Sequence, residues 1–145
     1  MKDPMRFIRQ AIISTLGTIS LGGQPVQVTN RVSRSFAAPY IWVYSVATNE
    51  IDSNQQSFTS EIITRIEVVT KFQGDSGGDL DANYLVNTCL TLLRTRSSGY
   101  FDLSSNNFKV YGCVNEGVTY SQEDTDGGTY FKGVIELSNR VEQLS

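Results

Sequence analysis

The sequence predicts an α+β fold: one domain in which a mainly antiparallel β-sheet carries two packed helices. Three observations lead there. The chain has 145 residues, near the commonest size of a single domain and short for two, so residues 1–145 read as one core. Two stretches, one beginning at Met5 and one at about Asp79, repeat apolar residues at three- and four-residue steps, the period of a helix. Between and after them run stretches of period two, with no internal repeat and no linker, and strands grouped around two helices indicate a sheet with helices laid on it.

The elements follow in order. Asp3 before Pro4 sets a side-chain acceptor at a helix N-cap and a proline at the first helical position, where a missing N–H is harmless. Met5, Ile8, Ile12 and Leu16 then form one apolar stripe, with Gly17 as the stop. Gly22 and Gly23 mark a turn, Gln24–Thr29 a short strand, and Asn30–Ala38 a polar loop carrying Arg31 and Arg34. After Pro39, Tyr40–Val46 reads as a strand with Tyr40, Trp42, Tyr44 and Val46 on one face, Ile41 and Val43 on the other, and cover over both.

Residues 47–60 are rich in Asn, Ser, Gln and Thr without apolar periodicity, which predicts a flexible loop. Glu61–Phe72 alternates strictly and is the longest strand signal, with Ile62, Thr64, Ile66, Val68, Thr70 and Phe72 on one side. Gly74–Gly78 breaks it. A second helix is expected over Asp79–Arg96, its stripe made by Leu85, Val86, Cys89, Leu90, Leu92 and Leu93, with Arg94 and Arg96 favourably placed in the last turn. Two strands follow, Phe108–Asn115 and Tyr130–Val141, separated by a second flexible segment, 115–129, with an acidic turn at Glu123, Asp124 and Asp126.

Composition narrows the function. Net charge is -3, which gives no general attraction to nucleic acid or to an anionic membrane surface. The apolar runs fall far short of the ~20 residues that a membrane helix needs, and the mixed charges of residues 1–16 do not support a secretory signal, so cytoplasmic synthesis is expected. Cys89 and Cys113 are too few for a disulfide scaffold and too far apart for a zinc motif, and read as small buried hydrophobes. There is no histidine, which removes the usual triad base and the usual metal imidazole. No enzyme, metal site or cofactor is expected.

Motif-like strings have plainer explanations. Gly74-Asp75-Ser76-Gly77-Gly78 matches the five residues around the nucleophile of trypsin-like proteases, but without histidine its serine has no partner base; Ser76 with Asp79 reads instead as a capping box. A Ser76–Lys71 or Ser76–Lys109 dyad has nothing to bring its members together. Asp124-Thr125-Asp126-Gly127-Gly128 fails the calcium-loop pattern, because Gly133 stands where glutamate is needed, and fits a hairpin turn. Gly77-Gly78 has no lysine at Walker spacing. Tyr40, Trp42 and Tyr44 have the look of a stacking platform for single strands, yet no basic run accompanies them, and a core or subunit contact suits them better.

The arrangement resembles a known family. The amphipathic first helix, the small strand at Val26-Gln27-Val28, the loop ending in Ala38-Pro39-Tyr40-Ile41-Trp42-Val43, the long alternating strand, and Gly77-Gly78 before a helix with Ala82, Leu85 and Cys89 are similar to the tail terminator, or tail-completion, proteins of long-tailed bacteriophages. The resemblance spans about Met5 to Val141. It implies a structural virion protein, assembled in the host cytoplasm, that forms a hexameric ring at the head-proximal end of the tail tube. Such a ring stops tail polymerisation, contacts the tube protein on one side and the head connector on the other, and lets DNA pass through its lumen without specific binding. It implies no catalysis, no cofactor and no membrane. A related head-tail joining (neck) protein or a tail tube subunit of similar fold is the alternative.

Each subunit of a ring presents two different complementary patches. The opposite charges on two separate loops suggest Arg31 and Arg34 on one subunit and Glu123, Asp124 and Asp126 on its neighbour, with sheet aromatics adding apolar area. Acidic side chains along the lumen would let DNA slide past.

Overall fold

The computed structural model describes residues 3–30, 39–53, 58–72, 78, 80–94, 101, 103–125 and 127–144. Helix α1 (Met5–Leu16) forms on the predicted stripe and buries Met5, Ile8, Ile12 and Leu16. Its start lies one step from the expected place: Pro4 itself occupies the N-cap, and the Asp3 carboxylate accepts the Met5 N–H at 2.9 Å from one residue further out. The same oxygen accepts the Thr48 hydroxyl at 2.9 Å, so one carboxylate fastens the helix start to the sheet.

The stretch 24–29 is two strands rather than one. β1 (Ser20–Leu21) and β2 (Gln24–Pro25) make a small antiparallel hairpin, whereas β3 (Gln27–Thr29) runs parallel to the start of β4 (Tyr40–Ser53). The split follows from the two-residue turn at Gly22 and Gly23, whose φ of 59° and 82° only glycine adopts freely and which folds 24–25 straight back onto 20–21.

β4, β5 (Phe58–Phe72), β7 (Gly128–Gln143) and β6 (Phe108–Thr125) complete a five-stranded sheet of order β3-β4-β5-β7-β6, antiparallel everywhere except at β3. This is the expected α+β architecture. The loop expected at 47–60 is corrected: 47–53 belong to β4 and 58–60 to β5, while 54–57 lie outside the described residues. Two register shifts, between Ser45 and Ala47 and between Glu50 and Asp52, throw the side chains out of phase, so no alternation shows in the sequence although the backbone ladder continues. The segment 115–129 is corrected likewise. β6 runs on to Thr125 and β7 begins at Gly128, with further shifts between Val110 and Gly112 and between Asn115 and Gly117.

Helix α2 (Leu80–Leu93) buries Ala82, Leu85, Val86, Cys89 and Leu93. The expected helix start at Asp79, the capping serine Ser76 and the last-turn Arg96 lie outside the described residues. Both helices lie on one face of the sheet, α1 over β3, β4 and β5, α2 over β5 and β7. Beneath them the register aligns rows such as Val43–Ile66–Ile135–Val118 and Ile41–Val68–Gly133–Tyr120. Ile8, Ile12, Ile41, Ile62, Ile66, Leu85 and Ile135 have no exposure, and each such side chain contributes about 1.5–3 kcal/mol of transfer free energy. Cys89 and Cys113 are both free and buried, as expected. Burial pushes the Cys89 thiol up to about 12 and that of Cys113 upward as well. No helix among the described residues is long and apolar enough to cross a membrane.

Candidate subunit interface

The second face of the sheet has no helix on it among the described residues, which corrects the expectation that both faces of Tyr40–Val46 are covered. Tyr40, Trp42 and Tyr44 stand there half-buried, with Val46 out of phase at a register shift. Trp42 and Tyr44 pack at 4.3 Å between ring centroids, and the Trp42 indole N–H donates to the Asn30 carbonyl at 3.3 Å. The rest of the face is a ladder of matched charges. Arg65 meets Glu136 at 3.1 Å, Lys132 bridges Glu67 at 3.8 Å and Glu123 at 3.4 Å, and Lys71 lies 5.5 Å from the Tyr130 ring centre. The hydrogen bond to Glu136, with that to Tyr44, pushes the Arg65 guanidinium up, while burial, aided by Glu67, pushes the Tyr40 phenol up. Neither sign dominates this face.

Of the charged residues expected at a subunit contact, Arg31, Arg34 and Asp126 lie outside the described residues. Glu123 and Asp124 occupy the end of β6. Glu123 is engaged by Lys132, and Asp124 accepts from the Thr129 hydroxyl at 3.0 Å and the Gln122 amide at 3.2 Å. Both carboxylates are thus held in place within the chain and keep an outward side, being exposed. Their position in the topology is informative. Tyr40 stands in one row with Val69, Lys132 and Ser121, so the start of β4 and the β6–β7 turn lie at the same end of the sheet. Three strand spacings, roughly 14 Å, separate β4 from β6.

The margins are what sequence reading did not single out. On one side β3 covers β4 only at Tyr40–Trp42, and the Arg9 guanidinium caps the Val43 carbonyl at 3.5 Å while also donating to the Asn30 carbonyl at 3.2 Å and the Ser45 hydroxyl at 3.1 Å. From Tyr44 to Asn49 no described strand pairs with the outer edge of β4, and those six residues carry no charge. On the other side no described strand pairs with the outer edge of β6, and Gly117–Gln122 is again uncharged, closed by Glu116 and Glu123. Unpaired edges of β-prone, uncharged residues are templates for another strand. Because β4, β5, β7 and β6 alternate in direction, β4 and β6 run oppositely. Row by row, Tyr44–Asn49 of β4 is level with Gly117–Gly112 of β6, and Thr119–Ser121 of β6 is level with the Tyr40–Trp42 stretch that β3 covers.

A groove of about 340 Å³ adjoins the β6 margin, lined by Glu61, Tyr111, Val114, Glu116, Ser138 and Arg140 among others; within it the Ser138 hydroxyl donates to Glu61 at 2.9 Å. Ser76 lies outside the described residues, and Lys71 and Lys109 stand on β5 and β6. Among the described residues no three His, Cys, Asp or Glu side chains converge to hold a metal ion. No family model matches the chain, and no curated protein matches it either.

Proposed function

We propose that the chain is a structural subunit of a ring at the head-proximal end of a bacteriophage tail tube, where it ends tail polymerisation and joins the tail to the head connector. The observation that carries this reading is that one sheet ends in two different margins, β3 with the rest of β4 on one side and β6 on the other, whose outer edges no described strand pairs. A head-to-tail contact between two different patches closes into a ring when its rotation divides the circle. The β3–β4 margin and the β6 margin are two such patches.

The charged loops suit the same geometry. Opposite charge on the segment with Arg31 and Arg34 and on the β6–β7 turn with Glu123 and Asp124 suits two complementary patches. Exposed pairs of this kind contribute about 0–1 kcal/mol each, so they set register more than affinity. The resemblance of the sequence to tail terminator proteins supplies the place in the virion, and with it the tube protein and the connector as partners.

Native mass spectrometry of the full chain tests the assembly. A single closed species of six copies is expected; a continuous ladder of ever larger species would favour a tail tube subunit, and a chain that stays single at every concentration would contradict the reading.

A further inference from the structure

We propose that the Arg9 guanidinium of α1 is an autoinhibitory contact on the edge of β4, holding closed a stretch of backbone on which a further strand would otherwise add. The contact belongs to the single chain and does not depend on any ring. The need for it lies in the sequence. Tyr40-Ile41-Trp42-Val43-Tyr44-Ser45-Val46 is a run of aromatic and β-branched residues broken by one serine, with no charge, no proline and no glycine, and Ala47, Thr48 and Asn49 extend the uncharged stretch to Glu50. A window of this composition on a free edge is where chains aggregate by adding strands.

The fold covers this window piece by piece. β3 pairs with Tyr40, Ile41 and Trp42, and there the ladder stops. Its next rung would set Asn30 against Val43. The Arg9 guanidinium takes the carbonyls of both instead, donating to Asn30 at 3.2 Å and to Val43 at 3.5 Å, and its other terminal nitrogen donates to the Ser45 hydroxyl at 3.1 Å. The Trp42 indole holds the same Asn30 carbonyl at 3.3 Å, so the end of β3 is fixed from α1 and from β4 together. Directly beyond Ser45 comes the register shift to Ala47, which leaves Val46 without a partner on β5 and bends the edge. Strand, guanidinium and bulge thus follow one another from Tyr40 to Ala47.

Arginine suits this task, because its planar fork reaches acceptors on two strands at once, where lysine offers a single point charge. Every acceptor that it uses here is neutral, and among the described residues no carboxylate pairs with it. Its Nε is buried and has no partner among them. An unbonded buried donor is a cost to the folded chain. The placement is therefore poor for folding stability and good for occupying an edge.

The test compares the full wild-type chain with Arg9→Met, which keeps the apolar stem and removes every donor, and with Arg9→Met, Ser45→Lys, which returns a cation to the same edge. Circular dichroism and a thermal midpoint within a few degrees of wild type first show that each variant is folded; where Arg9→Met is not, Arg9→Gln replaces it in both comparisons. Thioflavin T fluorescence of the shaken protein, well below the midpoint, then reads strand addition. Arg9→Met is expected to aggregate about fivefold faster than wild type or more, and Ser45→Lys to bring the rate back to within about twofold of wild type. A folded Arg9→Met chain that aggregates no faster than wild type overturns the autoinhibitory contact. A faster rate that Ser45→Lys leaves unchanged overturns it too, because the newly open surface would then lie elsewhere than at the β4 edge.

Discussion

The Cγ2 methyl of Val86 on α2 lies 2.7 Å from the point where a Cβ would stand on Gly133 of β7. Helix and sheet meet here with no room for a side chain, and Tyr120 closes the same spot from β6, with its Cε1 3.2 Å from that point. The contact fixes the height of α2 above the sheet and, through Asn83 and Tyr120, its position relative to the β6 margin.

Gly133→Ala is expected to destabilise the fold by about 1–3 kcal/mol, because Val86 is itself buried and has nowhere to go. Urea unfolding measures the loss. Adding Val86→Ala in the same chain should recover part of it, so that the two substitutions are not additive. Additive losses would show that the two residues do not meet.

The buried thiols set an alkaline limit. A thiol is neutral while protonated, and burial raises Cys89 from 9.0 to about 12, so the folded state holds its proton more tightly than the unfolded chain. That contribution is complete below about pH 9 and is lost as pH rises from there toward 12, at up to ~1.4 kcal/mol per pH unit. Unfolding free energies at pH 8, 9 and 10 should fall less steeply for Cys89→Ala than for wild type. Equal slopes would mean that the Cys89 thiol is not shielded.

The margins predict a charge-sensitive assembly. Thr119→Lys places a cation in the middle of the uncharged β6 edge, where Thr119 is exposed. It should abolish self-association while leaving the melting temperature within a few degrees of wild type. Association that survives this change would move the contact away from β6.

Reversing Arg31 and Arg34 to Glu tests the loop contact separately. Weaker association is expected, by up to about tenfold, together with loss of the salt dependence expected of wild type between low and physiological ionic strength. Light scattering at two salt concentrations reads both effects, and an unchanged response would remove these arginines from the interface.

The parts of the fold that one face determines were legible in the sequence. Ile62, Thr64, Ile66, Val68 and Thr70 alternate because one side of β5 lies beneath both helices, and the stripe of α1 recurs for the same reason. The far halves of β4 and β6 were hidden, because register shifts at 45–47, 50–52, 110–112 and 115–117 reset the phase and polar residues fill both sides. The split of 24–29 into strands of two different sheets depends on pairing with β1 and β4, which no local pattern encodes. The charged loop residues could be picked out by eye, whereas the two uncharged edges became visible only once strand order placed them at the margins.

Negative-stain electron microscopy of the purified chain tests the central claim most directly. Closed rings of one diameter with six-fold symmetry in class averages are the expected result. Open-ended tubes, or fields of isolated single copies under every condition tried, would contradict it.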